Sequence, residues 1–200
     1  LPDEAAKEAL EWIGGGTTRL LDASSAHRVS DGWVYGLPEL IKGQREAISN
    51  ARLVTNPGCY PSAFILLIRP LVDAGLLLSH TPLTVYGLSG YSGGGRSLID
   101  RWEDPETGLQ MLPFDAPYAL ERIHKHIPEM YAYTGLVSSP QFIPSVGPFA
   151  CGMRVQVPLH ADVLGERADV DRVWTTLKER YDGEPFVAMQ PLVRDAVNEH

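Results

Sequence analysis

Asn56-Pro57-Gly58-Cys59-Tyr60-Pro61 decides how this chain is read. Just before it, Ala51 to Thr55 has the character of a short strand. Just after it, a helix is expected from about Ser62 to Asp73, carrying Phe64, Ile65, Leu66, Leu67, Ile68, Leu71 and Val72. Apolar residues nearly all round mark that helix as buried. Pro70 is expected to bend it, and Gly75 suits its C-terminal cap. Gly58 allows a tight turn and Pro61 fits a first helical turn, which puts Cys59 at the helix N-terminus. There the unpaired N–H groups and the macrodipole favour a thiolate. The same N–H groups can cradle the oxyanion formed when a thiolate attacks a carbonyl. The competing reading is a small buried hydrophobe, the usual fate of a free cysteine.

Working outward, Asp3 to Trp12 reads as a short helix stopped by Gly14-Gly15-Gly16, and Thr17 to Ala23 as a strand. That strand leads into the polar Asp22-Ala23-Ser24-Ser25-Ala26-His27-Arg28, and loops after strands are where α/β folds place binding groups. Pro38 to Ser49 is a second helix candidate. Leu83 to Leu88 is a strand that feeds Ser89-Gly90-Tyr91-Ser92-Gly93-Gly94-Gly95-Arg96. Residues 101–122 have no clear periodicity and are expected to include a long ordered loop. Met153 to Leu159 alternates as a half-buried strand does. Val170, Val173, Trp174, Leu177 and Tyr181 form one helical stripe after Asp169 as N-cap, and Pro185 to Met189 is a last strand candidate. Strands and helices alternate early and strands dominate later, which indicates an α/β or α+β enzyme domain.

Composition narrows the chemistry. The 200 residues carry 17 Lys plus Arg against 25 Asp plus Glu, a net charge of −8, which argues against a nucleic-acid binder. An acidic chain can still hold an anion in a local pocket. Cys59 and Cys151 are too few and too distant for a disulfide scaffold or a four-cysteine zinc site, so a reduced, cytoplasmic setting is expected. Cys151 reads as a packing residue beside a turn. No apolar run approaches the ~20 residues that span a bilayer. Gly 19 and Pro 16 are spread between apolar segments and indicate many tight turns.

Two further segments can carry chemistry. In His124-Lys125-His126-Ile127-Pro128-Glu129 the i, i+2 histidines can point the same way from an extended segment, with Glu129 close by. His/His/Glu is a zinc set, but helical zinc pairs come at i, i+4 and Pro128 argues against a regular helix here. The alternative has one imidazole, titrating near neutral pH, as acid/base while Glu129 orients or binds something polar. The glycines of 89–96 suit close backbone approach to a phosphate or a flat polar ring, though they form neither a Walker loop nor a G-x-G-x-x-G fingerprint. A plain turn is the alternative there.

Taken in order, Asn56-Pro57-Gly58-Cys59-Tyr60-Pro61, Ser89 to Gly95 and His124 to Met130 resemble N-acetyl-gamma-glutamyl-phosphate reductase. Asp22 to Arg28, Trp33-Val34-Tyr35-Gly36-Leu37-Pro38-Glu39 and Pro144 to Phe149 before Gly152-Met153 resemble its second, shorter type. The resemblance covers roughly residues 1–160. It implies the end of a Rossmann-type NADP-binding domain over 1–58, followed over 59–200 by an α+β, glyceraldehyde-3-phosphate-dehydrogenase-like catalytic domain with a mixed sheet. It also implies NADPH-dependent reduction of an acyl phosphate to an aldehyde in arginine biosynthesis. Cys59 would be the nucleophile that forms a thioester, and His126, or else His124, the acid/base with Glu129 beside it. Ser89, Gly90, Ser92, Gly93 and Gly94 would lie against the NADP(H), and Ser25, Arg28 and Arg96 would bind the substrate. A homo-oligomer, dimer or tetramer, is implied, with no metal, nucleic acid or membrane partner.

The family begins with a strand and a glycine-rich turn that holds the cofactor pyrophosphate, and it ends with a strand and a long helix. Neither is found in these 200 residues, so the chain reads as an internal fragment that alone binds NADPH weakly and is inactive. The alternatives are a related acyl-phosphate reductase, either aspartate-semialdehyde-dehydrogenase-like or acting on a carrier-bound aminoadipyl phosphate, and a non-catalytic zinc-binding module.

Overall fold

In a computed structural model, residues 2–121, 123–165 and 169–194 are described. The chain runs α1 (Asp3–Ile13), β1 (Leu20–Asp22), β2 (Val34–Tyr35), α2 (Gln44–Asn50), β3 (Leu53–Thr55) and α3 (Cys59–Asp73). It continues through β4 (Thr84–Gly90), α4 (Arg96–Glu103), β5 (Ala116–Pro117), α5 (Ile127–Thr134), β6 (Gln141–Gly147), β7 (Met153–Gln156) and α6 (Val170–Tyr181).

Two sheets lie on either side of the Asn56–Gly58 turn in sequence. The first has the order β1-β3-β2 and is parallel throughout. The second has the order β5-β6-β4-β7: β4 and β6 are parallel at its centre, and β5 and β7 flank them antiparallel. The expected change from parallel α/β to a mixed α+β sheet is therefore found.

Helix α3 holds the two halves together, which explains its lack of a polar face. Phe64, Ile68 and Leu71 enter the main core with Val85, Met130 and Phe142, while Ile65 packs with Tyr35, Leu37 and Leu40. Pro70 lies inside the helix and has no N–H to offer the carbonyl of Leu66, one turn back. The buried Tyr181 hydroxyl from α6 donates to that carbonyl at 2.6 Å, so the freed acceptor is satisfied.

Several boundaries differ from the sequence reading. Helix α3 starts at Cys59 itself rather than near Ser62. Pro128 opens a helix instead of preventing one: it occupies the first turn of α5, where a missing N–H costs no hydrogen bond. Helix α4 and strands β5 and β6 occupy stretches where no element stood out. Residues 185–189 form no strand, and Cys151 is exposed rather than packed. Among the described residues no helix is long and apolar enough to cross a membrane.

Candidate active site

Cys59 is the first residue of α3 and is exposed. Its N-cap, Gly58, offers no side chain, so the first turn has no side-chain cap. Instead the Gly58 N–H donates to Glu129 Oε2 at 2.8 Å. Pro61 has no N–H and Ser62 N–H already bonds Gly58 O at 3.0 Å. Helix geometry leaves the N–H groups of Cys59 and Tyr60 outside the intrahelical ladder. A first turn that keeps donors free beside a thiol suits an incoming acyl oxygen.

Glu129, on α5, is 1% exposed and holds three elements together. Oε1 accepts from Arg28 Nη1 at 2.9 Å, and Oε2 accepts from both Tyr35 Oη at 2.7 Å and the Gly58 amide. Removing one partner of a buried pair such as Arg28–Glu129 typically costs ~3–5 kcal/mol. The position before the thiol must be glycine because of this crowding. A Cβ on Gly58 would stand 2.6 Å from His126 Cδ2, 2.7 Å from Glu129 Oε1 and 2.8 Å from Arg28 Nη1.

The two histidines line the same cavity as the thiol. His126 is buried against Gly58, and its Nδ1 has no hydrogen-bond partner among the described residues. His124 Nδ1 accepts the His126 backbone N–H at 3.2 Å, so that ring nitrogen is unprotonated. The rings are 4.8 Å apart, and His124 also meets Tyr60, Tyr118 and Phe142. Both oxygens of Glu129 are engaged elsewhere. Among the described residues no group of three or more His, Cys, Asp or Glu is placed to hold a metal ion.

Burial, with the nearby His124, Arg28 and Lys125, pushes the His126 imidazole down to about 3 from 6.5. It therefore does not titrate near neutrality; it stands as a neutral base. Burial and Lys125 also lower His124. Because the folded chain binds the His126 proton more weakly than the unfolded chain, this contribution to stability is complete above pH 6.5 and is lost as pH falls toward 3. The unfolding free energy of the wild type, taken from urea titrations, should fall more steeply than that of His126→Asn over that window, by up to ~1.4 kcal/mol per pH unit. Parallel curves would contradict this assignment.

Cys59, His124 and His126 face a cavity of about 760 Å³. Arg28, Arg101 and Lys125 also line it, and among the described residues no carboxylate does. A chain of net charge −8 thus has a local cationic pocket at its thiol. Tyr60 forms part of the wall, and its hydroxyl donates to Ser145 O at 3.2 Å. Burial raises the Tyr60 and Tyr118 phenols above their ordinary range, so both stay protonated.

Of the residues singled out in the sequence, Cys59, His124, His126, Arg28, Ser89, Gly93 and Gly94 line this cavity. Glu129 stands behind them. Gly90 and Ser92 are turned toward the 149–152 turn: Ser92 N bonds Ala150 O, and a Cβ on Gly90 would lie 2.6 Å from the same oxygen. Ser25 caps against Asp3 through its amide and hydroxyl. Arg96 is exposed and paired with Asp100 at 2.8 Å; Arg101, five residues further along α4, is the arginine that reaches the cavity. Sequence reasoning missed Arg101, Lys125, Tyr118 and Tyr35. Lys125 lies between the two histidines and Tyr35 within a quoted motif, so position offered a signal for those two.

A sequence model of the family described as "Semialdehyde dehydrogenase, dimerisation domain" matches residues 59–198. The chain belongs to that family. It is similar to N-acetyl-gamma-glutamyl-phosphate reductase 2 of Nostoc sp., 44% identical over 194 residues, which are 96% of this chain and 60% of that protein. It is also similar to the N-acetyl-gamma-glutamyl-phosphate reductase of Brucella ovis, 46% identical over 98% of this chain and 64% of that protein. The chain thus spans about three fifths of the length of these relatives. Among solved structures it resembles aspartate semialdehyde dehydrogenase II of Vibrio cholerae, with TM-score 0.62, 19% identity and coverage of 98% of this chain and 64% of that one. The Candida albicans aspartate semialdehyde dehydrogenase, solved with NADP, gives TM-score 0.56 at 11% identity over 90% of this chain and 53% of that one. These last two likenesses concern the fold.

Proposed function

We propose that this chain carries the acyl-transfer site of an NADPH-dependent reductase that converts N-acetyl-gamma-glutamyl phosphate to N-acetyl-glutamate 5-semialdehyde. The observation that carries the reading is the placement of Cys59: an exposed thiol on an uncapped helix N-terminus, facing a cavity lined by cations and a neutral imidazole. Relatives at 44–46% identity support this acyl phosphate over the aspartate one.

The Cys59 thiolate attacks the acyl carbonyl, the C–O bond to phosphate breaks, and phosphate leaves with the bonding pair. Arg28, Lys125 and Arg101 hold the anionic ends of the substrate, and the Cys59 and Tyr60 N–H groups face the acyl oxygen. Gly93 leaves open space where a side chain would stand, its nearest neighbour Ser89 Oγ at 3.7 Å from a built Cβ. Ser89 and Gly93 can therefore lie against a flat nicotinamide ring, with Gly94 beside them packed on Leu98. That cofactor, when bound, supplies the hydride that reduces the thioester. Hydride addition leaves a thiohemiacetal oxyanion that is protonated from solvent, and His126 takes that hydroxyl proton as the C–S bond breaks, which frees the aldehyde and the thiolate. In this reading the protein is cytoplasmic and a homo-oligomer; the match to a dimerisation domain supports the oligomer.

The test runs the full-length protein in reverse. N-acetyl-glutamate semialdehyde should be oxidised by NADP⁺ only when inorganic phosphate is present, with kcat/KM at least ~10²-fold above that for aspartate semialdehyde. A preference for aspartate semialdehyde, or for a carrier-bound aminoadipate semialdehyde, would overturn the substrate assignment.

A further inference from the structure

Tyr35 does not line the cavity, yet its bonds converge on the residues that do. It ends β2 in the parallel sheet and is 2% exposed. Its hydroxyl donates 2.7 Å to the same Glu129 oxygen that accepts the Gly58 amide. Its carbonyl accepts from Gln44 Nε2, and its ring stacks on Tyr133 with centroids 3.8 Å apart. The Tyr133 hydroxyl in turn donates to the Arg28 carbonyl at 2.6 Å. Two stacked phenols thus anchor Arg28 at its backbone and, through Glu129, at its guanidinium.

We propose that Tyr35 is a positioning residue for Cys59: its hydroxyl fixes the Glu129 carboxylate in the one orientation that grips both the Gly58 amide and the Arg28 guanidinium. The inference rests on the reading of Cys59 as nucleophile. Glu129 has a short side chain and two oxygens for three donors, and each donor comes from a different segment. With the Tyr35 hydroxyl removed, the carboxylate can follow Arg28 and release Gly58. The first turn of α3, which has no side-chain cap, then loses the bond that ties Gly58 to α5 beside the thiol. Burial and the Glu129 charge push the Tyr35 phenol far above its ordinary range, so it remains a donor at every working pH. The contact also crosses from the parallel sheet to the mixed-sheet half, where a small shift displaces the thiol relative to both histidines.

The test uses the full-length protein with Tyr35→Phe, Glu129→Gln and the double variant, and with Ile65→Val as a control that loosens the same apolar cluster without touching Glu129. Tyr35→Phe should lower kcat by about tenfold or more with KM within about threefold, and should slow iodoacetamide labelling of Cys59 by at least about threefold. Because Tyr35 acts through Glu129, the double variant should be no slower than Glu129→Gln alone. Ile65→Val should label and turn over like the wild type. Normal Cys59 labelling in Tyr35→Phe, or effects that multiply in the double variant, overturns the inference. Should Tyr35→Phe fail to fold, Glu129→Gln must itself slow Cys59 labelling, and unchanged labelling there overturns it equally. Labelling reports on the thiol whatever the reaction, so a failure here is separable from a failure of the nucleophile reading, which an active Cys59→Ser protein would reveal.

Discussion

Cys59→Ser should lower the turnover of the full-length protein by ~10³-fold or more, because a hydroxyl near neutral pH is a far weaker nucleophile than a thiolate in the step that forms the covalent bond. The fold should survive. The thiol is exposed at the head of α3, and the neighbouring Gly58–Glu129 and Ser62–Gly58 bonds involve neither its sulfur nor its size. Cys151→Ser should behave as wild type. Both thiols are exposed, so accessibility does not distinguish them. What does is the first helical turn with its free N–H groups at Cys59, against the plain 149–152 turn at Cys151. Timed alkylation followed by mass spectrometry should therefore modify Cys59 first near neutral pH. Equal labelling of both, together with an active Cys59→Ser protein, would remove the nucleophile from this site.

The second large effect is expected at His126. On the proposed reading, the buried, neutral His126 imidazole, whose Nδ1 has no hydrogen-bond partner among the described residues and which lines the same cavity as Cys59, is the group that accepts a proton during the reaction. His126→Asn should reduce kcat by ~10²–10⁴-fold and leave substrate KM within a few-fold, as expected for a group that acts in the transition state. His124→Asn should do less, since its Nδ1 is already engaged by the His126 amide and its ring forms part of the aromatic wall. Chelators should change nothing. If His124→Asn proves the more damaging, the two histidines exchange roles. If EDTA abolishes activity and zinc restores it, acid/base chemistry at this pair is the wrong account.

The parts of the site read directly from the sequence were those set by local geometry. A glycine, a cysteine and a proline ahead of an all-apolar run announce a thiol at a helix N-terminus, and the His124/His126 spacing brings two rings to one wall. What needed the folded chain was long-range. Glu129 meets Arg28 across 101 residues and Tyr35 across 94, and nothing in the local pattern tells a carboxylate that clamps a backbone from one that touches substrate. The loop after β1 misled in the opposite direction. It reads as a binding loop, but Ser24 and His27 are tied to Asp22 and Ser25 to Asp3, and of the substrate-binding candidates there only Arg28 reaches the cavity. Pro128 argues against a helix when proline is read only as a breaker, whereas in a first turn its missing N–H costs no hydrogen bond and it opens α5.

The most direct measurement mixes the full-length protein with N-acetyl-gamma-glutamyl phosphate in the absence of NADPH, quenches in acid and maps the acyl adduct by mass spectrometry. Without a hydride donor the thioester cannot go forward to aldehyde, so one N-acetylglutamyl group per chain is expected, carried on Cys59 and released by hydroxylamine. Phosphate should be liberated in a burst of matching size. An adduct on Cys151 or on no cysteine, with phosphate still released at the catalytic rate, would contradict covalent catalysis at the head of α3.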